Sequence, residues 1–287
     1  MFRPALSTLS KLIRYACCTN RCRLLLEASR GLPRRLAARS LSPADVHLLV
    51  SALATGGDDV EAAVAAADAA AAAPSAAPHS SLTAELGRWL LSQLLEPSSA
   101  SSAAALDDEQ LADLVDAAAV LGLALQRDCP DALAAAAGRL AAAAVQGGLR
   151  GDALVSALTG LEKLGHAPQP EVLDALCEAV AAGAADGSLS GLHNLAAAAA
   201  SLYDLGARPG ADWLGGLGEA VVGAIDAEER LAPRTAVWAL QLLASRFEGN
   251  FMILALSATQ AVTQDLQVRT WRGARGPGVR ENIWRYG

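Results

Sequence analysis

Residues 149–165 read LRGDALVSALTGLEKLG. Leu149, Leu154, Leu158, Leu161 and Leu164 fall at intervals of five, four, three and three, which places one apolar stripe along a single helix. Gly165 follows the last stripe residue, where a helix stops by entering the left-handed region that glycine reaches without strain. The same frame returns in Leu106, Leu111, Val115, Ala118, Leu121 and Gly122, and in Leu41, Val46, Val50, Leu53 and Gly57. Leu189–Gly206 repeats it with one extra residue, and Leu231–Phe247 repeats it loosely, without the glycine.

Between these copies lies a second set of helical stretches, each marked by a proline. Pro130 precedes DALAAAAGRLAAAAVQ, Pro170 precedes EVLDALCEAVAAG, and Pro209 precedes GADWLGGLGEAVVGAI. The frame opens at Leu106, Leu149, Leu189 and Leu231, an even spacing, while the gap from Leu41 to Leu106 is longer and reads as holding an insertion. Paired helices at a constant step define the expected fold. It is all-α, an α-solenoid of antiparallel helix-pair repeats with a step of about 40 residues.

Composition agrees. Of 287 residues 53% are hydrophobic but only 4% aromatic, because the apolar share is mostly alanine. Alanine favours helix and buries little area, so such helices are stable mainly when stacked. Charge is unevenly spread. Residues 1–40 hold nine Lys/Arg and one acid, residues 41–247 hold nine Lys/Arg and 26 acids (net −17), and residues 248–287 hold five Arg and three acids.

This gives five regions. Residues 1–40, rich in Arg and Ser and able to form a basic amphipathic helix, have the pattern of an organellar transit peptide for a mitochondrion or chloroplast. Residues 41–57 are the first repeat helix, opened by a Ser42 cap and Pro43 in the first turn. Residues 58–105 are a low-complexity insertion with one helix, 82–95, carrying Leu86, Trp89, Leu90 and Leu94. Residues 106–247 are the solenoid. Residues 248–287 form an irregular basic tail in which Trp271, Trp284 and Tyr286 interleave with arginines.

The motifs of common chemistry are missing. No phosphate loop, dinucleotide fingerprint or zinc spacing occurs, and Cys17, Cys18 and Cys22 lack further ligands at metal spacing. Gly215-Gly216-Leu217-Gly218 follows no strand and reads as a close helix-packing site. Asp107, Asp108 and Glu109 sit where a first helical turn favours acids. No apolar run is long and charge-free enough to span a bilayer. Neither catalytic residues nor a metal or cofactor site is expected.

The repeat helix resembles the octotricopeptide repeat of green-algal organelles. Leu41-Ser42-Pro43 matches that family's helix opening, and Ser51-Ala52-Leu53 stands where it has Trp-Ala-Leu. Leu161, Leu164 and Gly165 match its helix end, as do Leu121-Gly122 and Leu205-Gly206. Pro209 with Trp213-Leu214 matches its first helix, and Trp238-Ala239-Leu240 copies its core string three positions early. The family's asparagine is replaced by Leu48, Asp113, Ser156 and Trp238. Relatives often end in a small nuclease-like domain, and residues 248–287 are too short for one. The resemblance implies an organellar RNA-binding factor in RNA processing, stability or translation, with organellar RNA or a ribonucleoprotein as partner.

Two functions follow. In RNA binding, Arg127, Arg139, Arg150, Lys163, Arg208, Arg230 and Arg234 would meet phosphates, and His193 would be a surface contact. Frame position five (Asp45, Gln110, Ala153, His193, Thr235) would face bases. The acidic body opposes strong binding. It suits the alternative, a non-catalytic α-solenoid scaffold holding a basic protein partner in an organellar complex.

Overall fold

The structure is a computed structural model that describes residues 31–56, 60, 62–64, 81–95, 106–227, 239, 241–243 and 245–247. Cys17, Cys18, Cys22, Arg230, Arg234, Thr235, the basic tail and most of the leader and low-complexity stretches lie outside the described residues. All regular structure among the described residues is helical. In chain order it comprises α1 (Pro43–Ala54), α2 (Leu82–Leu95), α3 (Asp108–Val120), α4 (Leu125–Asp128), α5 (Pro130–Val145), α6 (Gly151–Lys163), α7 (Pro170–Asp186), α8 (Leu192–Asp204) and α9 (Ala211–Ala227). Residues 31–37, 62–64 and 241–243 are also helical. Among the described residues, no helix is long and apolar enough to cross a membrane.

The helices pack in two layers. In the first, α1 lies on α3, α3 on α6, and α6 on α8; in the second, α2 lies on α5, α5 on α7, and α7 on α9. The layers meet through α3 with α5, α5 with α6, α7 with α8, and α8 with α9. The apolar frame is what the layers bury. Leu149, Leu154, Leu158 and Leu161 are each 0–1% exposed, and Leu106, Leu111, Val115, Ala118, Leu121, Val46, Val50 and Leu53 are buried alike. The core extends further toward the N-terminus than the frame does, because Leu32 and Leu36 are buried in it. Helix α2 also belongs to it. Although its sequence surroundings mark an insertion, this helix packs on α4 and α5 with Leu86 and Leu90 buried.

Local signals set the helix ends. Ser42 accepts from the Asp45 N–H while Asp45 returns the bond, and Asp107 and Gln110 form the same reciprocal cap on α3. Pro130 and Pro170 open α5 and α7 in the first turn. Gly122, Gly165 and Gly206 take φ of 64°, 70° and 106° just past α3, α6 and α8. The chain then bonds back across the helix end, Leu123 N–H to Ala118 O at 3.0 Å, His166 to Leu161 at 3.0 Å and Ala207 to Leu202 at 2.9 Å.

First-layer helices run parallel, since early positions meet early ones and late positions meet late ones. His47 lies 3.5 Å from Asp113, Lys163 lies 3.4 Å from Asp116, and Asn194 donates to Asp152 at 2.7 Å. Beyond α8, Arg246 pairs with Asp204 at 2.9 Å. Between α3 and α6 the backbones nearly touch. A Cβ on Gly160 would lie 2.7 Å from the Asp116 backbone nitrogen and 2.8 Å from its Cα. The glycine run in α9 shows the close packing expected of it only in part: Leu217 and Gly218 are buried, while Gly215 and Gly216 are exposed. A Cβ on Gly215 or Gly216 would meet nothing within 4 Å, so no described neighbour in the chain requires glycine there.

Gly160→Ala should therefore lower stability by about 1–3 kcal/mol, because rigid backbone must move to admit the methyl. Gly138→Ala, in α5 with open space around it, should raise stability by about 0.5–1 kcal/mol. Urea unfolding of the two variants side by side checks both signs.

Candidate nucleic-acid interface

Because first-layer helices are parallel, their C-terminal ends share one edge of the molecule. Helices favour cations at that end, where carbonyls are unpaired and the dipole is negative. Lys163 is the last residue of α6, Arg127 lies in α4 directly after α3, and Arg208 follows α8. Arg246, which is not among the sequence candidates, reaches the last residue of α8, Asp204. Each step of the first layer from α3 onward thus brings one cation to this edge.

The cations are held in different ways. Arg127 donates to both carboxylate oxygens of Asp128, at 2.7 and 3.0 Å, and this holds the Asp128 carboxyl below its usual range. Lys163 and Thr159 both reach Asp116 Oδ1, at 3.4 and 3.3 Å. The Arg208 guanidinium lies 4.1 Å above the Tyr203 ring and donates to the Tyr203 and Ala207 carbonyls at 3.0 and 2.7 Å. Tyr203 in turn meets Phe247 edge-on at 5.4 Å. Asp204 accepts from Arg246 and raises the Arg246 pKa.

Two other candidates lie at the opposite edge. Arg139 braces α5 to the start of α3, donating to Asp108 at 2.8 Å and to the Leu106 carbonyl at 2.6 Å. Arg150 is the N-cap of α6; it donates to the Gly147 carbonyl at 3.0 Å and lies 3.9 Å from Asp186. His193 is exposed in the first turn of α8. Arg230 and Arg234 fall outside the described residues. The structure therefore brings Arg127, Lys163 and Arg208 to one edge and leaves Arg139 and Arg150 at the other.

Three of the five frame-position-five residues have structural tasks of their own. Asp45 and Gln110 are spent on the caps of α1 and α3, and Ala153 packs against the core. The signal was in the sequence, as Ser-x-x-Asp at 42–45 and Asp-x-x-Gln at 107–110.

Acids interleave with the cationic edge. Glu162 has its carboxyl pushed up, first by burial and then by the nearby Asp204 charge. His166, just past α6, lies 3.1 Å from Gln126 Oε1, and burial pushes its pKa down, which favours the neutral ring. The two described cysteine thiols, Cys129 and Cys177, are poor nucleophiles. Burial pushes Cys177 up to about 11 and also raises Cys129. Among the described residues no group of His, Cys, Asp or Glu has the makings of a metal site. No protein-family model matches the sequence, and no curated protein matches it.

The raised Glu162 carboxyl has a testable sign. A carboxyl that binds its proton more tightly when folded costs stability as pH rises above its ordinary value of 4.5. Glu162→Gln should therefore raise the melting temperature at pH 7, and the advantage should shrink as pH falls toward about 4. Melting curves across that range test it.

Proposed function

We propose that this chain is an α-solenoid of antiparallel helix-pair repeats with a step of about 40 residues, and that it works as an organellar RNA-binding factor of octotricopeptide-repeat type. The helix starts support the repeat. First-layer helices begin at Asp108, Gly151 and Leu192, and second-layer helices begin at Pro130, Pro170 and Ala211, so the two series advance together in nearly equal steps. The basic, Ser-containing leader supports import into a mitochondrion or chloroplast.

One observation carries the RNA reading: the row of Arg127, Lys163, Arg208 and Arg246, one per step on a single edge. A single strand laid along that edge would meet a cation at every helix, and Arg208 stacked on Tyr203 offers a flat face for a base. The carboxylates beside the cations are no strong barrier. Exposed ion pairs are worth about 0–1 kcal/mol, so a phosphate can displace a carboxylate from Arg127 or Lys163 at small cost. In this reading the protein is not an enzyme. It protects, positions or presents a transcript during processing or translation.

A second reading, a scaffold for a basic protein, is favoured by the second layer. Helices α7 and α9 together carry seven acids and no Lys or Arg.

Tagged full-length protein expressed in a green alga, irradiated in isolated organelles and purified under denaturing conditions, should carry crosslinked RNA. The triple variant Lys163→Glu, Arg208→Glu, Arg246→Glu should lose it, while Arg150→Glu on the other edge should keep it. In vitro, four phosphate contacts predict a log–log salt slope of about −3 for a single strand. Unchanged crosslinking in the triple variant would remove this edge as the RNA site.

A further inference from the structure

Helices α7 and α9 do not close on each other along their whole length. At one end the Trp213 indole donates to the Cys177 carbonyl at 2.9 Å and ties the two together. Beside that tie a cleft of about 320 Å³ opens between them. Its floor is apolar, with Val180 and Leu217 buried and Ala184 and Ala220 half-buried. Its outer wall includes Gly216, exposed and with open space where a side chain would stand. Asp212 and Glu219, both exposed, complete the lining.

We infer that this cleft is a docking site for a cationic amphipathic helix of a protein partner. The shape is a trough between two 17-residue helices, which suits a third helix laying apolar side chains three and four residues apart into it. Charge sets the sign of the partner. The lining carboxylates, Asp212 and Glu219, both stand on α9, and neither bounding helix carries a Lys or Arg, so lysines and arginines flanking the apolar stripe meet carboxylates along that wall. A nucleic acid is repelled from the same surface. The glycines fit this role. Glycine is a poor helix former, and no described residue approaches Gly215, Gly216 or Gly223, yet all three stand in α9. Gly216, which lines the cleft, keeps that wall low enough for a partner's backbone to come close.

This docking site deepens the scaffold reading; the cleft is lined by second-layer helices and adjoins the cationic edge where Trp213 approaches Phe247 at 6.4 Å, so its test uses variants that leave Arg208 and Arg246 untouched. The probe is a fluorescent peptide of about 18 residues with Leu at helical i, i+3, i+4 spacing and Lys elsewhere, titrated with full-length protein at near-physiological salt and followed by anisotropy. Binding is expected, and replacing every Lys in the peptide by Glu should abolish it. Gly216→Leu, which fills the cleft, and the pair Asp212→Lys, Glu219→Lys should each weaken binding by about tenfold or more. The pair Glu109→Lys, Asp131→Lys makes the same change in net charge far from the cleft and should leave binding nearly intact. Circular dichroism checks that each variant is folded; if Gly216→Leu is not, the comparison of the two charge-reversal pairs decides alone. Equal losses in the two pairs, full binding by a folded Gly216→Leu, or displacement of the peptide by a single-stranded RNA oligonucleotide would each overturn the assignment.

Discussion

The closeness with which one helix backbone can approach the next governs this molecule. Where α6 meets α3, residue 160 has no room for even a methyl group, because the Asp116 backbone already fills the space. Around that point the buried side chains are small: Ala112, Ala118 and Ala157 are fully buried. Small residues let helices approach and gain dispersion contacts along their length. Each removes little apolar area from water, however, and burial stabilises in proportion to that area. A helix built this way is held by having several neighbours. Larger Leu side chains at frame positions supply the rest, and the polar contacts between neighbouring first-layer helices join early positions to early ones and late to late.

That parallel run has a functional consequence. Parallel helices put all first-layer C-termini on one edge, and helix ends of that polarity attract cations. Lys163, Arg127 and Arg208 are placed there by backbone electrostatics as much as by any ligand. The same edge holds Asp116, Asp128, Glu162 and Asp204, so its charge is near balance although the body as a whole is acidic. The second layer is less evenly balanced: α2 and α5 carry Arg88 and Arg139, whereas α7 and α9 carry acids without a Lys or Arg of their own, and Arg150 approaches Asp186 at 3.9 Å.

Much of the fold is legible in the sequence because one period is written several times. Leu106, Leu149 and Leu189 open frames whose stripe residues are buried, and Gly122, Gly165 and Gly206 close them. Prolines mark the starts of α5 and α7 for the same local reason. The rest depends on contacts between distant residues. The Arg139 bond to Asp108 spans 31 positions, and nothing near Arg139 in the chain distinguishes a brace from a free cation. Helix α2 reads as part of an insertion because its flanks are low-complexity, while its partner α5 lies beyond α3. Arg246 does not stand out in the sequence because its copy of the frame lacks the closing glycine. The glycines of α9 suggest a packing site because adjacent small residues imply contact; Gly218 is buried, while contact at Gly215 and Gly216 would have to come from outside the chain's own described residues.

The glycines of α9 also bear on how the molecule breathes. Helices α3 and α6 are clasped on both sides within their layer, whereas α9 rests on α7 and α8 and carries four residues of low helix propensity. Local opening follows the weakest local packing, not the average. Amide protons of α9 would accordingly trade with solvent through small excursions long before those of α3, whose release needs neighbours on both sides to part. The cleft is thus carried by a helix more loosely held than α3 or α6.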